Sequence, residues 1–60
     1  MNFRDWKDLG NAQKAAGNLA GAAESYRRSL EIAPDYADSL YNLGLVLREL
    51  GQLEEAERCF

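Results

Sequence analysis

The sequence predicts an all-α fold made of two successive antiparallel helix pairs, and three observations support this prediction. The stretch WKDLGNAQKAAG at positions 6–17 returns as LYNLGLVLRELG at positions 40–51, a displacement of 34 residues. Apolar residues recur at steps of three and four, which is typical of helices and not of strands. Glycine and proline stand where such helices would end. A fixed internal period of this length indicates a repeat architecture.

The period extends beyond the two quoted stretches and sets the register of the two copies. The aligned pairs, each separated by 34 residues, are Trp6 and Leu40, Leu9 and Leu43, Gly10 and Gly44, Gly17 and Gly51, Leu19 and Leu53, Ala22 and Ala56, and Tyr26 and Phe60. The agreement runs through both predicted helices of each copy, so the repeating unit is a helix–turn–helix.

The first helix is predicted to run from Phe3 to Ala16. Asn2 precedes it and has the short polar side chain that caps helix N-termini, and Asp5 places a negative charge in its first turn. Gly17 suits the left-handed residue that closes a helix.

The second helix is predicted to run from Leu19 to Ala33, with Asn18 as its cap. It ends before Pro34 because proline has no backbone N–H and its ring clashes with the preceding helical turn. With only two or three residues between them, the first two helices must lie antiparallel.

The second copy predicts two further helices. The third helix runs from Tyr36 to Leu50, with Asp35 as its cap and Asp38 in a position typical of a capping box. Gly51 closes this helix. The fourth helix begins near Leu53 and continues to Phe60.

The glycines inside the helices predict close packing. Gly10 and Gly44 each cost their helix about 1 kcal/mol relative to alanine, a cost explained if another backbone approaches closely. Ala22 and Ala56 lie on the following helices and are small enough to face them. The predicted apolar seam comprises Trp6, Leu9, Leu19, Ala23, Tyr26 and Leu30 in the first pair, and Leu40, Leu43, Leu47, Leu50, Leu53 and Phe60 in the second.

These residues carry a family resemblance. The chain resembles the tetratricopeptide repeat family in two copies, on the packing residues Trp6, Leu9, Gly10, Ala22, Tyr26 and Pro34, and then Leu40, Leu43, Gly44, Ala56 and Phe60. The resemblance implies a right-handed α-solenoid and a single fragment over residues 1–60, with repeat one at 3–36 and a partial repeat two at 37–60. Gln13, Ser29 and Gly21 depart from the residues usual in the family.

Composition argues against several functional classes. The net charge of −3 and the pI near 4.7 oppose a nucleic-acid surface, including that of a related helical-repeat RNA reader. No stretch is long and apolar enough for a membrane span, and no secretion leader is evident, so a cytoplasmic location is expected. Without histidine and with a single cysteine, the sequence predicts no catalysis, no metal site and no cofactor.

The resemblance implies a concave groove, lined by the first helix of each pair, that binds a peptide. Polar and basic residues share one face of each of these helices, away from the apolar seam. Four of the seven basic residues lie on this face, which favours an acidic or C-terminal peptide as the partner. The predicted groove residues are Arg4, Lys7, Asn11, Lys14, Tyr41, Asn42, Leu45 and Arg48.

A narrower alternative comes from the same resemblance. Some co-chaperone members of the family hold the acidic C-termini of chaperones in a clamp of basic and asparagine side chains. Lys7, Asn11 and Asn42 match three members of that clamp, and lysine and amide groups can donate hydrogen bonds to carboxylates.

Self-association is a further alternative, in which the chain is a structural repeat unit without a ligand of its own. Each repeat buries its apolar face against a neighbour, and the last pair is expected to leave one face uncovered. The residues expected on that face are Leu43, Leu47, Leu50, Leu53 and Phe60. The sequence therefore also predicts a homo-oligomer, most simply a two-fold dimer. A catalytic domain outside these residues remains compatible with the sequence.

Overall fold

The computed structural model describes residues 1–59 and contains four helices within that range. They are α1 (Phe3–Ala15), α2 (Leu19–Ile32), α3 (Ala37–Glu49) and α4 (Leu53–Cys59). The predicted all-α repeat fold is confirmed, and no strand occurs in the described residues. Three of the predicted helix starts are confirmed, and α3 starts one residue later than predicted.

The first helix of each pair ends with the same backbone motif. Gly17 and Gly51 both have a φ of +84°, in the left-handed region that favours glycine. The Gly17 N–H donates to the Lys14 carbonyl, and the next N–H donates to the Gln13 carbonyl at 2.9 Å. The N–H groups of residues 51 and 52 repeat this pattern one period later. Both turns are therefore Schellman motifs, which satisfy the last carbonyls of α1 and α3.

Asparagine side chains cap the first two helices as predicted. Asn2 Oδ1 accepts a hydrogen bond from the Asp5 N–H at 2.9 Å, and the Asp5 carboxylate accepts one from the Asn2 N–H at 3.4 Å. This reciprocal pair is a capping box. At α2, Asn18 Oδ1 accepts from the Gly21 N–H at 3.0 Å.

The predicted cap of α3 is wrong. The N-cap position is Tyr36 and not Asp35, and its side chain makes no capping hydrogen bond. The Tyr36 ring packs edge-on against Phe3, with the ring centroids 4.9 Å apart, and its hydroxyl donates to the Asp38 carboxylate at 3.3 Å. Packing against α1 thus fixes the entry into α3, and Asp38 bonds to this hydroxyl instead of forming the predicted capping box.

The core lies where α3 packs against α1, α2 and α4. Its buried apolar residues are Ala22, Ala23, Tyr26, Leu43, Val46, Leu47 and Ala56, with Leu19, Leu30 and Cys59 packed around them. Val46 was absent from the predicted seam. Gly10 and Gly44 are buried as expected, and Trp6 and Leu40 are half-buried. Pro34 is exposed in the turn that follows α2. Phe60 lies outside the described residues.

Three leucines of the predicted seam are exposed. Leu9 is 36% exposed, Leu50 39% and Leu53 58%. Leu9 lies on an outer helix, whereas its equivalent Leu43 lies on α3, which packs against three helices and leaves Leu43 only 5% exposed. The position within the stack, and not the residue type, decides which copy of a repeated leucine is buried.

Gly10 lies directly against the ring of Tyr26. A Cβ added to Gly10 would lie 2.6 Å from Cε1 and 2.8 Å from Cδ1 of Tyr26. Carbon atoms in favourable contact are about 3.5–4.0 Å apart. Gly10 therefore makes room for the Tyr26 ring, and its approach to Ala22 stays a prediction.

The two polar departures from the family pattern have polar partners inside the fold. Ser29 Oγ lies 2.7 Å from Ser39 Oγ, and both residues are fully buried between α2 and α3. Ser25 donates to Gln13 Oε1 at 2.5 Å, which joins α2 to α1. In the described residues every buried side-chain nitrogen and oxygen has a hydrogen-bond partner, so these polar groups carry no penalty for an unmade bond.

A helix needs about 20 predominantly apolar residues to cross a bilayer. None of the helices described here combines the length and the apolar character that a membrane span requires.

Candidate binding groove between the first helices of the two pairs

Helices α1 and α3 lie beside each other and bring predicted groove residues together. At the start of α1, Phe3 contacts Tyr36. Near its end, Lys14 Nζ donates to Asn42 Oδ1 at 3.5 Å. Lys7, between these two points, is close enough to α3 to interact electrostatically with Tyr36 and Asp38. We call the surface formed by Lys7, Asn11, Lys14 and Asn42 the α1/α3 groove.

A hydrogen bond from the core residue Tyr26 holds the Asn11 side chain in place. The hydroxyl of Tyr26, a fully buried residue of α2, donates to Asn11 Oδ1 at 2.5 Å. Burial raises the pKa of the Tyr26 hydroxyl above its ordinary value, and the nearby charge of Lys7 partly offsets this. The hydroxyl thus stays protonated, as the hydrogen bond to an amide oxygen requires.

Lys7 has a carboxylate partner on its own helix. Its ammonium group lies 2.9 Å from Asp8 Oδ1, and its side chain is 22% exposed. The hydrogen bond to Asp8 raises the pKa of Lys7, burial opposes the shift, and Asp38 adds a smaller electrostatic contribution in the same direction as Asp8. Lys7 is therefore charged but partly neutralised.

The other predicted groove cations have no such partner in the part of the chain that the structure describes. Within the described residues, no ion pair involves Arg4, Lys14 or Arg48. Arg4 lies 5.2 Å from the centroid of the Phe3 ring, in the range of a cation–π contact, and both Arg4 and Arg48 are exposed.

The arginines of α2 show the opposite pattern. Arg27 pairs with Glu55 of α4 at 2.5 Å, and Arg28 pairs with both Glu24 and Glu31. Positive charge on α2 is therefore matched by carboxylates, whereas in the described residues three of the four cations on α1 and α3 have no ion-pair partner. Within the described residues, the side-chain cations without an ion-pair partner are Arg4 and Lys14 on α1, Arg48 on α3 and Arg58 on α4.

Two further predicted groove residues, Leu45 and Tyr41, are not among the residues that define the α1/α3 groove. Leu45 is half-buried on α3. Tyr41, 58% exposed, lines a depression of about 300 Å³ with Ala37, Leu40 and Cys59. We assign Tyr41 to that depression and not to the groove. A larger depression of about 460 Å³ lies at the α3–α4 turn and the start of α4, and it contains none of the predicted groove residues.

Sequence reasoning missed the hydrogen bonds that organise the groove. It treated Tyr26 only as a packing residue and placed Lys14 and Asn42 on the same surface without a contact. One signal was available, since the first copy has tyrosine where the second has Phe60, and the extra hydroxyl of a buried tyrosine needs a partner.

Comparisons with known proteins agree with the repeat assignment. A family model described as TPR repeat matches residues 10–51. The probable UDP-N-acetylglucosamine–peptide N-acetylglucosaminyltransferase SPINDLY of Hordeum vulgare is 40% identical over 53 residues, which cover 88% of this chain and 6% of that protein. The corresponding protein of Oryza sativa subsp. japonica shows the same identity and coverage.

A third relative is named for the repeat itself. Tetratricopeptide repeat protein 8 of Caenorhabditis elegans is 34% identical over 55 residues, or 92% of this chain and 11% of that protein. This chain thus spans about a tenth or less of the length of these three relatives. No solved structure shows a significant match. With a repeat model covering most of its length and two stacked helix pairs in the same register, this chain belongs to the tetratricopeptide repeat family.

Proposed function

We propose that the chain is a non-catalytic protein-interaction module whose α1/α3 groove binds an acidic peptide segment of a partner protein. Tetratricopeptide repeats are in general protein–protein interaction modules. The observation that carries the acidic preference is the uneven pairing of charge, since Arg27 and Arg28 are ion-paired on α2 whereas Lys14 has no carboxylate partner in the described residues. The transferase activity in the names of the plant relatives is not transferred to this chain, which matches 6% of each.

The proposal is tested with a fluorescein-labelled peptide of alternating glutamate and glycine, titrated by fluorescence anisotropy. Lys14→Gln removes one groove charge, and Arg58→Gln removes one from the exposed end of α4 as the matched control. Exposed charge pairs contribute about 0.2–1 kcal/mol, so Lys14→Gln is expected to weaken binding by up to about fivefold. Arg58→Gln is expected to leave the affinity unchanged. Equal effects of the two variants would show attraction to the whole protein and not to the groove.

Salt gives an independent check on the charge argument. The screening length falls from about 10 Å at 0.1 M to about 3 Å at 1 M ionic strength, so binding should weaken steadily over this range. An affinity independent of salt would contradict an electrostatic groove.

Self-association is a second candidate role, favoured by exposed apolar side chains on the second pair. Leu53 and Tyr41 are each 58% exposed, and Tyr41 lines the depression with Leu40 and Cys59. Leu43 and Leu47, which the sequence analysis placed on the uncovered face, are buried and take no part. We propose that a second copy of the chain covers this surface.

Sedimentation velocity from micromolar to millimolar concentration tests the self-association proposal. The chain is expected to form a dimer that Leu53→Glu dissociates, because the substitution places a charge in the interface. A parent chain that sediments as a monomer throughout this range would refute it.

A further inference from the structure

The side-chain oxygens of the two asparagines in the α1/α3 groove both accept hydrogen bonds from other residues of the chain. Tyr26 donates to Asn11 Oδ1 at 2.5 Å, and Lys14 donates to Asn42 Oδ1 at 3.5 Å. A carboxamide has one oxygen that accepts hydrogen bonds and one NH₂ group that donates two. Because a fully buried tyrosine donates to the Asn11 oxygen, the orientation of the Asn11 amide is set before any ligand arrives, whereas the longer contact from Lys14 constrains Asn42 less.

The groups left to meet a ligand are therefore donors. Among the described residues, neither asparagine Nδ2 donates to a protein acceptor. The ammonium groups of Lys7 and Lys14 also carry donors and no acceptor. The Asp8 carboxylate, which pairs with Lys7, already accepts from the Lys7 ammonium group. The Asp38 carboxylate, on the α3 side, accepts from the Tyr36 hydroxyl.

Resting on the proposed peptide-binding function, we propose that Tyr26 is a positioning residue that makes the groove selective for hydrogen-bond acceptors. Its hydroxyl turns the Asn11 NH₂ group toward the ligand, so that the groove prefers a carboxylate-bearing peptide to the isosteric carboxamide. With a carboxamide, NH₂ groups of ligand and groove would face each other and leave donors unpaired, which is costly where water is excluded. Without the Tyr26 hydroxyl, the Asn11 amide is free to turn and to present its oxygen instead.

Tyr26→Phe isolates this role with the loss of a single oxygen atom. The ring remains to fill the space beside Gly10, and phenylalanine already occurs at the equivalent position 60 of the second copy. Ser29→Ala is the matched control, because it also removes a buried hydroxyl from α2, but one that bonds to Ser39 in the core and not to a groove residue.

The experiment compares two peptides that are identical except that glutamate is replaced by glutamine and the terminal carboxylate by an amide. The parent chain is expected to bind the carboxylate peptide about tenfold more tightly, from charge and hydrogen bonding together. Tyr26→Phe is expected to reduce this ratio about threefold or more. Ser29→Ala should leave the ratio unchanged even if it lowers stability.

Nuclear magnetic resonance of the free chain supplies a readout that does not depend on a ligand. The side-chain amide resonances of Asn11 are expected to shift in Tyr26→Phe and to stay in place in Ser29→Ala. Unchanged Asn11 resonances in Tyr26→Phe would overturn the positioning role. A ratio unaffected by Tyr26→Phe, with both peptides still bound, would overturn the selectivity.

A failure of the proposed peptide-binding function would give a different result in the peptide titrations. If the parent chain binds neither peptide, the proposed groove function fails, and the acceptor selectivity fails with it, whatever the Asn11 resonances do. If the parent binds both peptides equally, the groove function stands and the selectivity alone is overturned.

Discussion

Replacing Gly10 by alanine tests the packing of the first pair most directly, because two effects of opposite sign compete at this position. Alanine favours the helix over glycine by about 1 kcal/mol. However, the added Cβ would lie 2.6 Å from Tyr26 Cε1, about 1 Å closer than carbon atoms approach in favourable contact. Tyr26 is fully buried and its hydroxyl is bonded to Asn11, so the ring has little freedom to move away.

The steric effect is expected to win. Overpacking a well-filled core costs about 1–3 kcal/mol, and subtracting the gain in helix propensity leaves a net loss of about 1–2 kcal/mol. For a domain of this size, each 1 kcal/mol lowers the melting temperature by about 4–8 °C. Thermal and urea unfolding followed by circular dichroism would measure both quantities. Ala12→Gly, at an exposed position of the same helix, calibrates the propensity term and should cost about 1 kcal/mol.

A double-mutant cycle identifies the partner of Gly10. In a Tyr26→Leu background the ring is absent, so Gly10→Ala should become neutral or stabilising, with a coupling energy of the size seen for residues in contact, about 0.5–3 kcal/mol. A more stable Gly10→Ala variant of the parent chain, or the same loss in both backgrounds, would refute the reasoning.

Other predictions concern the turns, the buried hydroxyls and pH. Gly17→Ala should cost about 1 kcal/mol in urea unfolding, because φ is +84° there; an unchanged midpoint would contradict this. Ser29→Ala should cost about 1–3 kcal/mol by leaving Ser39 unpaired, and the double variant with Ser39→Ala should recover part of the loss; no recovery would argue against the pair. Burial raises the folded pKa of Tyr26 above the unfolded value of about 10. Its contribution to stability is complete below pH 10 and is lost as the pH rises through the folded pKa. Unfolding measured from pH 8 to 11 should show this loss in the parent chain and less of it in Tyr26→Phe; equal losses would contradict it.

The helices could be predicted from the sequence because their ends are marked by local chemistry. Asn2 and Asn18 cap the helices that follow them, and Gly17 and Gly51 close the helices that precede them. At α3 the same reasoning failed, because the contact of Tyr36 with Phe3 depends on how α3 packs against α1. Local signals do not contain that information.

Burial was predicted less well, since it depends on position in the stack. The repeat treats Leu9 and Leu43 as equivalent, yet only Leu43 lies on the helix that packs against three others. For the candidate site, two residues that helical spacing assigned to the groove, Lys14 and Asn42, are joined by a hydrogen bond, while their part in binding stays a prediction. The direction in which each amide points depends on hydrogen atoms donated from Tyr26 and Lys14, and no spacing rule describes it.

The buried pair of Ser29 and Ser39 has a consequence for how repeats can be combined. Each hydroxyl is satisfied by the other across the boundary between the two helix pairs. A pair with serine at one of these positions, placed beside a neighbour with an apolar side chain at the other, would bury an unpaired polar group, at a cost of about 1–3 kcal/mol. A serine at one of these positions therefore requires a serine at the other position in the adjacent helix pair. Shuffled or engineered arrays that keep both serines together should assemble in the native order. Arrays that separate the two serines should lose stability at that junction alone.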